Sequence, residues 1–237
     1  MPFPNSQYSN SLGLSFFINH NIWWLRIIGF LLVISPFLYY LRKGRWWQKV
    51  IMMITLLLYA YVLYYYDYKV SATEVFGEMK EKTFLNSTSD ASDKLAQVIG
   101  VEINGEAKAY PLLIIGYHHE LEDTVGNVPV LVTYCTLCHT SRVFGLVVNG
   151  KRQQFRLVGI VHLNATLEDN DTKSWWQQAS GVAIAGKLKG MHLPEIKSSQ
   201  TSLRNWLTLH PNSVVLQPDN NYKQQYKDFD DGSLKIF

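Results

Sequence analysis

IWWLRIIGFLLVISPFLYYL, residues 22–41, holds a single charged side chain, Arg26, in its whole length. A helix rises about 1.5 Å per residue, so roughly 20 such residues cross the ~30 Å hydrocarbon core of a bilayer. A second apolar stretch, VIMMITLLLYAYVLYYY, occupies residues 50–66, and tilt or local thinning absorbs its shorter length. Trp23, Trp24, Trp46, Trp47 and the tyrosines Tyr64, Tyr65, Tyr66 and Tyr68 sit at the ends of the two stretches, where amphipathic rings meet the headgroups. Two buried core helices of a soluble protein would instead show charges at helical spacing along one side. Here only Arg26 does so, close enough to an end to snorkel. A cleaved signal peptide fits poorly, because no basic segment precedes the first stretch and a second follows at once. The sequence therefore predicts two transmembrane helices in a multi-pass protein whose first partner is the lipid bilayer.

Charge placement gives these helices a direction. All 19 acidic residues lie at or after Asp67, and the first 66 residues carry only Arg26, Arg42, Lys43, Arg45 and Lys49. Four of those five fall in the connection RKGRWWQK, residues 42–49, while residues 1–21 have no Lys or Arg. The positive-inside rule places that connection in the cytoplasm. Residues 1–21 and everything after the second helix then lie outside the cell (inner) membrane, facing the periplasm or cell exterior. The net charge of +3 splits into +5 before Asp67 and −2 after it. The outer part has no basic field for nucleic acid, and none is expected as a partner. Protein partners are not readable from the chain.

Residues 67–93 are polar and poorly periodic, ending in NSTSDASD, and read as a linker. Residues 94–218 form the expected domain, of a size that suits one core, and residues 219–237 read as a polar tail. Asn104-Gly105 and Asn149-Gly150 mark two hairpins, since both central positions of a type I′ turn need positive φ. Between them VPVLVTY, residues 128–134, is a β-branched run that reads as a buried strand. Short helices are expected at residues 111–116, at 173–179 behind Thr172 as N-cap, and at 202–210 before Pro211. The expected class is two transmembrane α-helices followed by a mainly-β (α+β) domain. That domain is expected to be a curved antiparallel sheet or partly closed barrel with short helices.

The strongest chemical signal is TYCTLCHT, residues 133–140, directly after that strand; Cys135 and Cys138 are the chain's two cysteines. In an oxidising compartment the pair has three fates: a disulfide, a metal site or a cofactor attachment. A disulfide across so short a loop removes little unfolded-state entropy, so a purely structural staple is a weak use of it. Cys-Thr-Leu-Cys-His also fits the pattern for c-type haem attachment, but the β-rich surroundings make haem c unlikely. His118 and His119, in GYHHELEDTVG, and His139 and His162 supply imidazoles. Thiolates with imidazole suit copper or zinc, with Glu120, Asp123 and Asp169 available to orient the rings. A Cys pair beside a His also suits thiol–disulfide exchange, with Cys135 as nucleophile and Cys138 as resolving thiol. Adjacent Trp175 and Trp176 are expected to face inward and outward in turn, and His192 and His210 read as ordinary surface or core residues.

VIGVEINGEAKAYPL, GYHHELEDTVGNVPVLVTYCTLCHTSRVF, TKSWWQQASGVAIAGKLKG and LRNWLTLHPNSVVLQP occur in that order across residues 94–218. Together they resemble an uncharacterised bacterial family, a domain of unknown function with a TYC-x-x-C hallmark. Members are mostly exported or membrane-attached, which agrees with the topology read from charge. The resemblance maps the hallmark onto Thr133, Tyr134, Cys135 and Cys138, its preceding histidine onto His118 or His119, and its paired tryptophans onto Trp175 and Trp176. His139 and Val161 depart from the family pattern, which weakens His139 and His162 as site members. The resemblance carries no activity, and it leaves open whether the protein is an enzyme. The sequence thus favours a soft metal ion at Cys135, Cys138 and His118 or His119, copper ahead of zinc by ligand softness. A cell-envelope thiol–disulfide oxidoreductase is the second expectation, and a non-catalytic envelope interaction domain with an inert disulfide the third.

Overall fold

A computed structural model of the chain describes residues 11–69, 72–86 and 96–230, which fall into two units, Met1–Val75 and Phe76–Phe237. In the first unit a short helix, α1 (Leu12–His20), precedes α2 (Ile22–Lys43), α3 (Trp46–Tyr68) and the single turn α4 (Ala72–Val75). Helix α1 lies in the stretch read as an outer N-terminal segment. Helices α2 and α3 are long and apolar enough to cross a membrane, and protein buries almost none of their apolar surface. Leu31, Leu32, Leu57 and Leu58 are each more than half exposed. That is costly in water and costless in hydrocarbon. Arg26 does not snorkel alone: its guanidinium meets Asp67 of α3 in a fork, at 3.0 and 2.5 Å. A bidentate pair of this kind is how a charge is kept among apolar helices.

In chain order the second unit runs β1 (Phe84–Asn86), β2 (Gln97–Ile103), β3 (Glu106–Pro111), α5 (Leu112–His118), β4 (Glu120–Val125), β5 (Val128–Cys135) and β6 (Thr140–Gly145). It continues with β7 (Val147–Val148), β8 (Lys151–Arg152), β9 (Phe155–Val161), β10 (Asn164–Asp169), β11 (Trp175–Gln177) and β12 (Ala183–Ala185). Last come β13 (Ser198–Ser202), α6 (Leu203–Leu209), β14 (Val214–Leu216), a 3-10 turn at Asn220–Tyr222, and α7 (Lys223–Asp230). The class is mainly β, as expected, but the single curved sheet or barrel is not. The strands form a five-stranded sheet (β1-β14-β3-β2-β13), a four-stranded sheet (β12-β11-β10-β9), a three-stranded meander (β4-β5-β6) and the small β7-β8 hairpin. None closes, and β14 runs parallel to β3.

Alternation along β2 explains the layers. Ile99 and Val101 face a core shared with α5, β4, β5 and α7. Val98 faces a second cluster with Ala109, Val215 and Trp206 of α6. Gly100 is what admits α6: a Cβ there would lie 2.3 Å from the Trp206 ring. Strand β5 is buried on both faces over most of its length, which is why its sequence is a continuous apolar run rather than an alternation. Both Asn-Gly turns form as expected, with positive φ at Asn104, Gly105, Asn149 and Gly150. The Ser202 hydroxyl caps α6 by accepting the Asn205 N–H.

Two expectations are corrected. Residues 173–179 are not a helix: β11 pairs antiparallel with β10. Thr172 caps nothing helical, because its N–H and hydroxyl both bind the Asp169 carboxylate, which also accepts from the Ser174 N–H. Trp175 and Trp176 are both buried; their indoles donate to Glu168 and Asp169. Core packing also draws on residues outside 94–218. Met79 and Tyr226 belong to its core, with Phe84, Tyr222 and Phe229 packed against it. The expected linker and tail therefore contribute apolar anchors at 79–84 and 222–229. Residues 1–10 of the expected N-terminal segment, 70–71 and 87–93 of the expected linker, 94–95 of the expected domain and 231–237 of the expected tail lie outside the described residues.

Candidate functional site

Strand β5 carries TYC to its end, and the chain then turns through Thr136–His139 into β6. Leaving the strand, Cys135 stays buried at 2% exposure while Cys138 reaches solvent, and both are free thiols. Their side chains lie within hydrogen-bonding reach of one another. The β9–β10 hairpin arrives from a different sheet and places its own tip beside this turn: the Leu163 carbonyl is 4.0 Å from Cys135 Sγ. Asn164 Nδ2 donates to Cys138 Sγ at 3.0 Å.

A buried polar layer holds that amide. Asn164 Nδ2 also donates to Gln178 Oε1 at 3.2 Å, and Asn164 Oδ1 accepts the Ala179 N–H at 2.9 Å. Gln178 Nε2 in turn donates to Thr133 Oγ1 and to the Thr140 carbonyl, at 2.9 and 3.0 Å. Thr133 Oγ1 donates to the Arg142 carbonyl. The Ala179 N–H, which can only donate, and the Thr140 carbonyl, which can only accept, fix the orientation of the two amides. Burial and the neighbouring Cys135 push the Cys138 thiol above the ordinary thiol range, and the Asn164 and Thr140 side chains pull it back in part. Nothing local in the sequence marks Asn164 or Gln178, since they meet the cysteines only when two sheets pack.

The histidines go elsewhere. His118, at the end of α5, uses both ring nitrogens. Nδ1 faces the Gly77 carbonyl and so carries the proton, which leaves Nε2 to accept from the Tyr226 hydroxyl at 2.6 Å. His119 is buried against Phe76, with Nδ1 towards the Tyr117 carbonyl. Burial lowers the pKa of both rings, His119 to about 4. His139 Nδ1 lies 3.3 Å from the Tyr134 hydroxyl, and His162 is exposed in the β9–β10 turn. Among the described residues no three His, Cys, Asp or Glu side chains come together in a way that would hold a metal ion. Cys135 and Cys138 are brought together; His118 and His119 are tied to the domain's aromatic core.

The carboxylates expected behind the imidazoles have other work. Asp123 accepts from Lys108 Nζ and the Tyr110 hydroxyl, and Asp169 organises the turn before β11. Glu120 takes the Leu157 N–H, and its burial, with Glu122 and Glu78 nearby, raises its pKa to about 8. Its Oε2 is buried with no hydrogen-bond partner. Glu122 accepts the Phe155 N–H. These two carboxyl groups therefore stitch the edge of β4 to the edge of β9, where no strand pairing joins the sheets.

A family model described as "Protein of unknown function (DUF3179)" matches residues 78–231, well over half of the chain and nearly all of the second unit. No curated protein and no solved structure matches the chain.

Proposed function

We propose that this chain, which belongs to the DUF3179 family, is a membrane-anchored thiol–disulfide exchange protein whose Cys135/Cys138 pair reduces disulfides outside the cytoplasm. The observation that carries this reading is the asymmetry of the pair. Cys138 is accessible and hydrogen-bonded by Asn164, while Cys135 is buried within reach behind it. The order of roles is the reverse of the one read from the sequence, with Cys138 attacking and Cys135 resolving. The apolar helices and the basic connection between them support the anchor and its outward direction.

Deprotonated Cys138 Sγ attacks one sulfur of a substrate disulfide. A Cys138–substrate S–S bond forms, the substrate S–S bond breaks, and the departing thiolate takes up a proton. Deprotonated Cys135 then attacks Cys138 Sγ and expels the second substrate thiolate, which is protonated in its turn. Two electrons pass to the substrate, and the protein ends as the Cys135–Cys138 disulfide. Couples become oxidising when their reduced form is stabilised. A Cys138 thiol held above the ordinary range gives the dithiol no such stabilisation, which supports the donor direction. The metal expectation needs at least a third donor beside the two sulfurs for a zinc-type site, and the described residues offer none in place.

The test is trapping. Full-length protein in detergent is reacted with a small neutral disulfide and analysed by intact mass. Wild type should oxidise to the intramolecular disulfide, Cys135→Ser should accumulate a mixed disulfide on Cys138, and Cys138→Ser should react far more slowly. Equal reactivity of the two single variants, or no reaction in wild type, overturns the proposal.

A further inference from the structure

Two hairpin tips from different sheets meet around Cys138, and both present leucine to solvent. Leu137, immediately before the thiol, is 56% exposed, and Leu163, whose carbonyl faces Cys135, is 46% exposed. Leu163 is also conformationally expensive. It has φ +60 beside His162 at φ +50, and His139 across from them has φ +47. Paired positive-φ turn positions ordinarily fall to Asn, Asp or Gly. A branched apolar residue there bears a steric cost in its backbone and a solvation cost in its side chain at once. Both costs fall at the rim of the Cys138 turn, and strain of this kind gathers where function requires it.

Resting on the thiol-exchange reading, we infer that Leu137 and Leu163 form an apolar lip that selects extended polypeptide segments carrying apolar side chains beside their cysteine. Charge argues against a small anionic disulfide as the favoured partner. The Arg142 guanidinium beside that layer is already engaged by Glu195 Oε1 at 2.7 Å and by the Ala179 carbonyl. An extended chain laid across the tips brings one cysteine to Cys138 and covers both leucines with its flanking side chains.

The experiment uses full-length protein in detergent and three oxidants. These are a synthetic peptide dimer with a disulfide flanked by leucine and valine, oxidised glutathione, and bis(2-hydroxyethyl) disulfide. Wild type should react with the peptide at least about tenfold faster than with oxidised glutathione, the scale set by covering two half-exposed leucines. A Leu137→Ser/Leu163→Asn variant should lose most of that advantage while its rate with bis(2-hydroxyethyl) disulfide holds within about twofold. Asn suits positive φ, so this variant does not fail by misfolding the turn. An unchanged peptide rate, an equal fall with every oxidant, or a preference for oxidised glutathione overturns the lip and leaves the exchange activity standing. Inertness of wild type towards all three overturns both.

Discussion

Replacing Asn164 with Ala tests the polar layer at its centre. The side chain is 4% exposed and makes three contacts: it donates to Cys138 Sγ and Gln178 Oε1, and it accepts the Ala179 N–H. A hydrogen bond to a charged group is worth about 1.5–3 kcal/mol. Cys138 is solvent-accessible, so the lower end applies, and about 1.4 kcal/mol is tenfold in an equilibrium. Losing the donor raises the Cys138 pKa further, so the thiolate fraction at neutral pH falls. The variant should therefore be alkylated by iodoacetamide about tenfold more slowly at pH 7. The measurement is made in a Cys135→Ser background so that one thiol reports, and as a pH–rate profile, which should move to the alkaline side. Unfolding should also cost about 1–3 kcal/mol less, because buried Gln178 Oε1 loses its donor and the half-buried Ala179 N–H its acceptor. An unchanged profile, or one displaced to lower pH, refutes the assignment of Asn164 as the amide that tunes Cys138. Loss of stability with no change in alkylation would leave Asn164 a purely structural residue.

Three further outcomes follow from groups outside this layer. Glu120 has a folded-state pKa of about 8, above its unfolded value, so its stabilising contribution is complete below about pH 4.5 and is lost as pH rises towards 8. Glu120→Gln keeps an acceptor for the Leu157 N–H and should raise stability at pH 8 by on the order of 4 kcal/mol while changing little at pH 4.5; denaturant titrations at both pH values decide it, and a stability loss at pH 8 refutes it. His119 has the opposite sign: its pKa is lowered to about 4, so stability is intact above about pH 6.5 and falls as pH drops from there towards 4. Between pH 7 and 5 the loss should be about 2 kcal/mol, and His119→Asn, which accepts positive φ, should remove much of it. Elemental analysis of the reduced protein should find no stoichiometric copper or zinc; one tightly bound equivalent that disappears in Cys135→Ser would restore the metal expectation.

What the sequence made legible was local. The two apolar stretches, the Asn-Gly turns, the β5 run and the short helix before Pro211 all rest on periodicity or on one residue's backbone preference, and each appears where expected. Residues 173–179 failed because the decisive partner of Thr172 was the carboxylate of Asp169 rather than the backbone of a following helix. Both tryptophans then found acceptors on β10, which no reading of TKSWWQQASG alone supplies. The site was half legible: the Cys pair announces itself, but its exposure order and its amide depend on a hairpin some 28 positions away in the chain. His118 and His119 looked like ligands by composition, and their real partners, Gly77, Phe76 and Tyr226, stand far from them in sequence.

One imidazole, His118, holds the first residues of the second unit to its last helix, since Gly77 and Tyr226 bind its two sides. Strand β1 likewise has β14 as its one partner in the sheet. The residues at the start of this unit are therefore made first and finished last: they wait for a strand and a helix that come more than a hundred positions later in the sequence. Long-range closure of this kind is slow. Maturation of the domain is thus a late event, completed only once residues 214–226 have been made. A fragment cut at 94 or at 218 would lack one half of the clasp. The growing chain therefore keeps the edge at Gly77 and β1 open until its last strand and helix arrive.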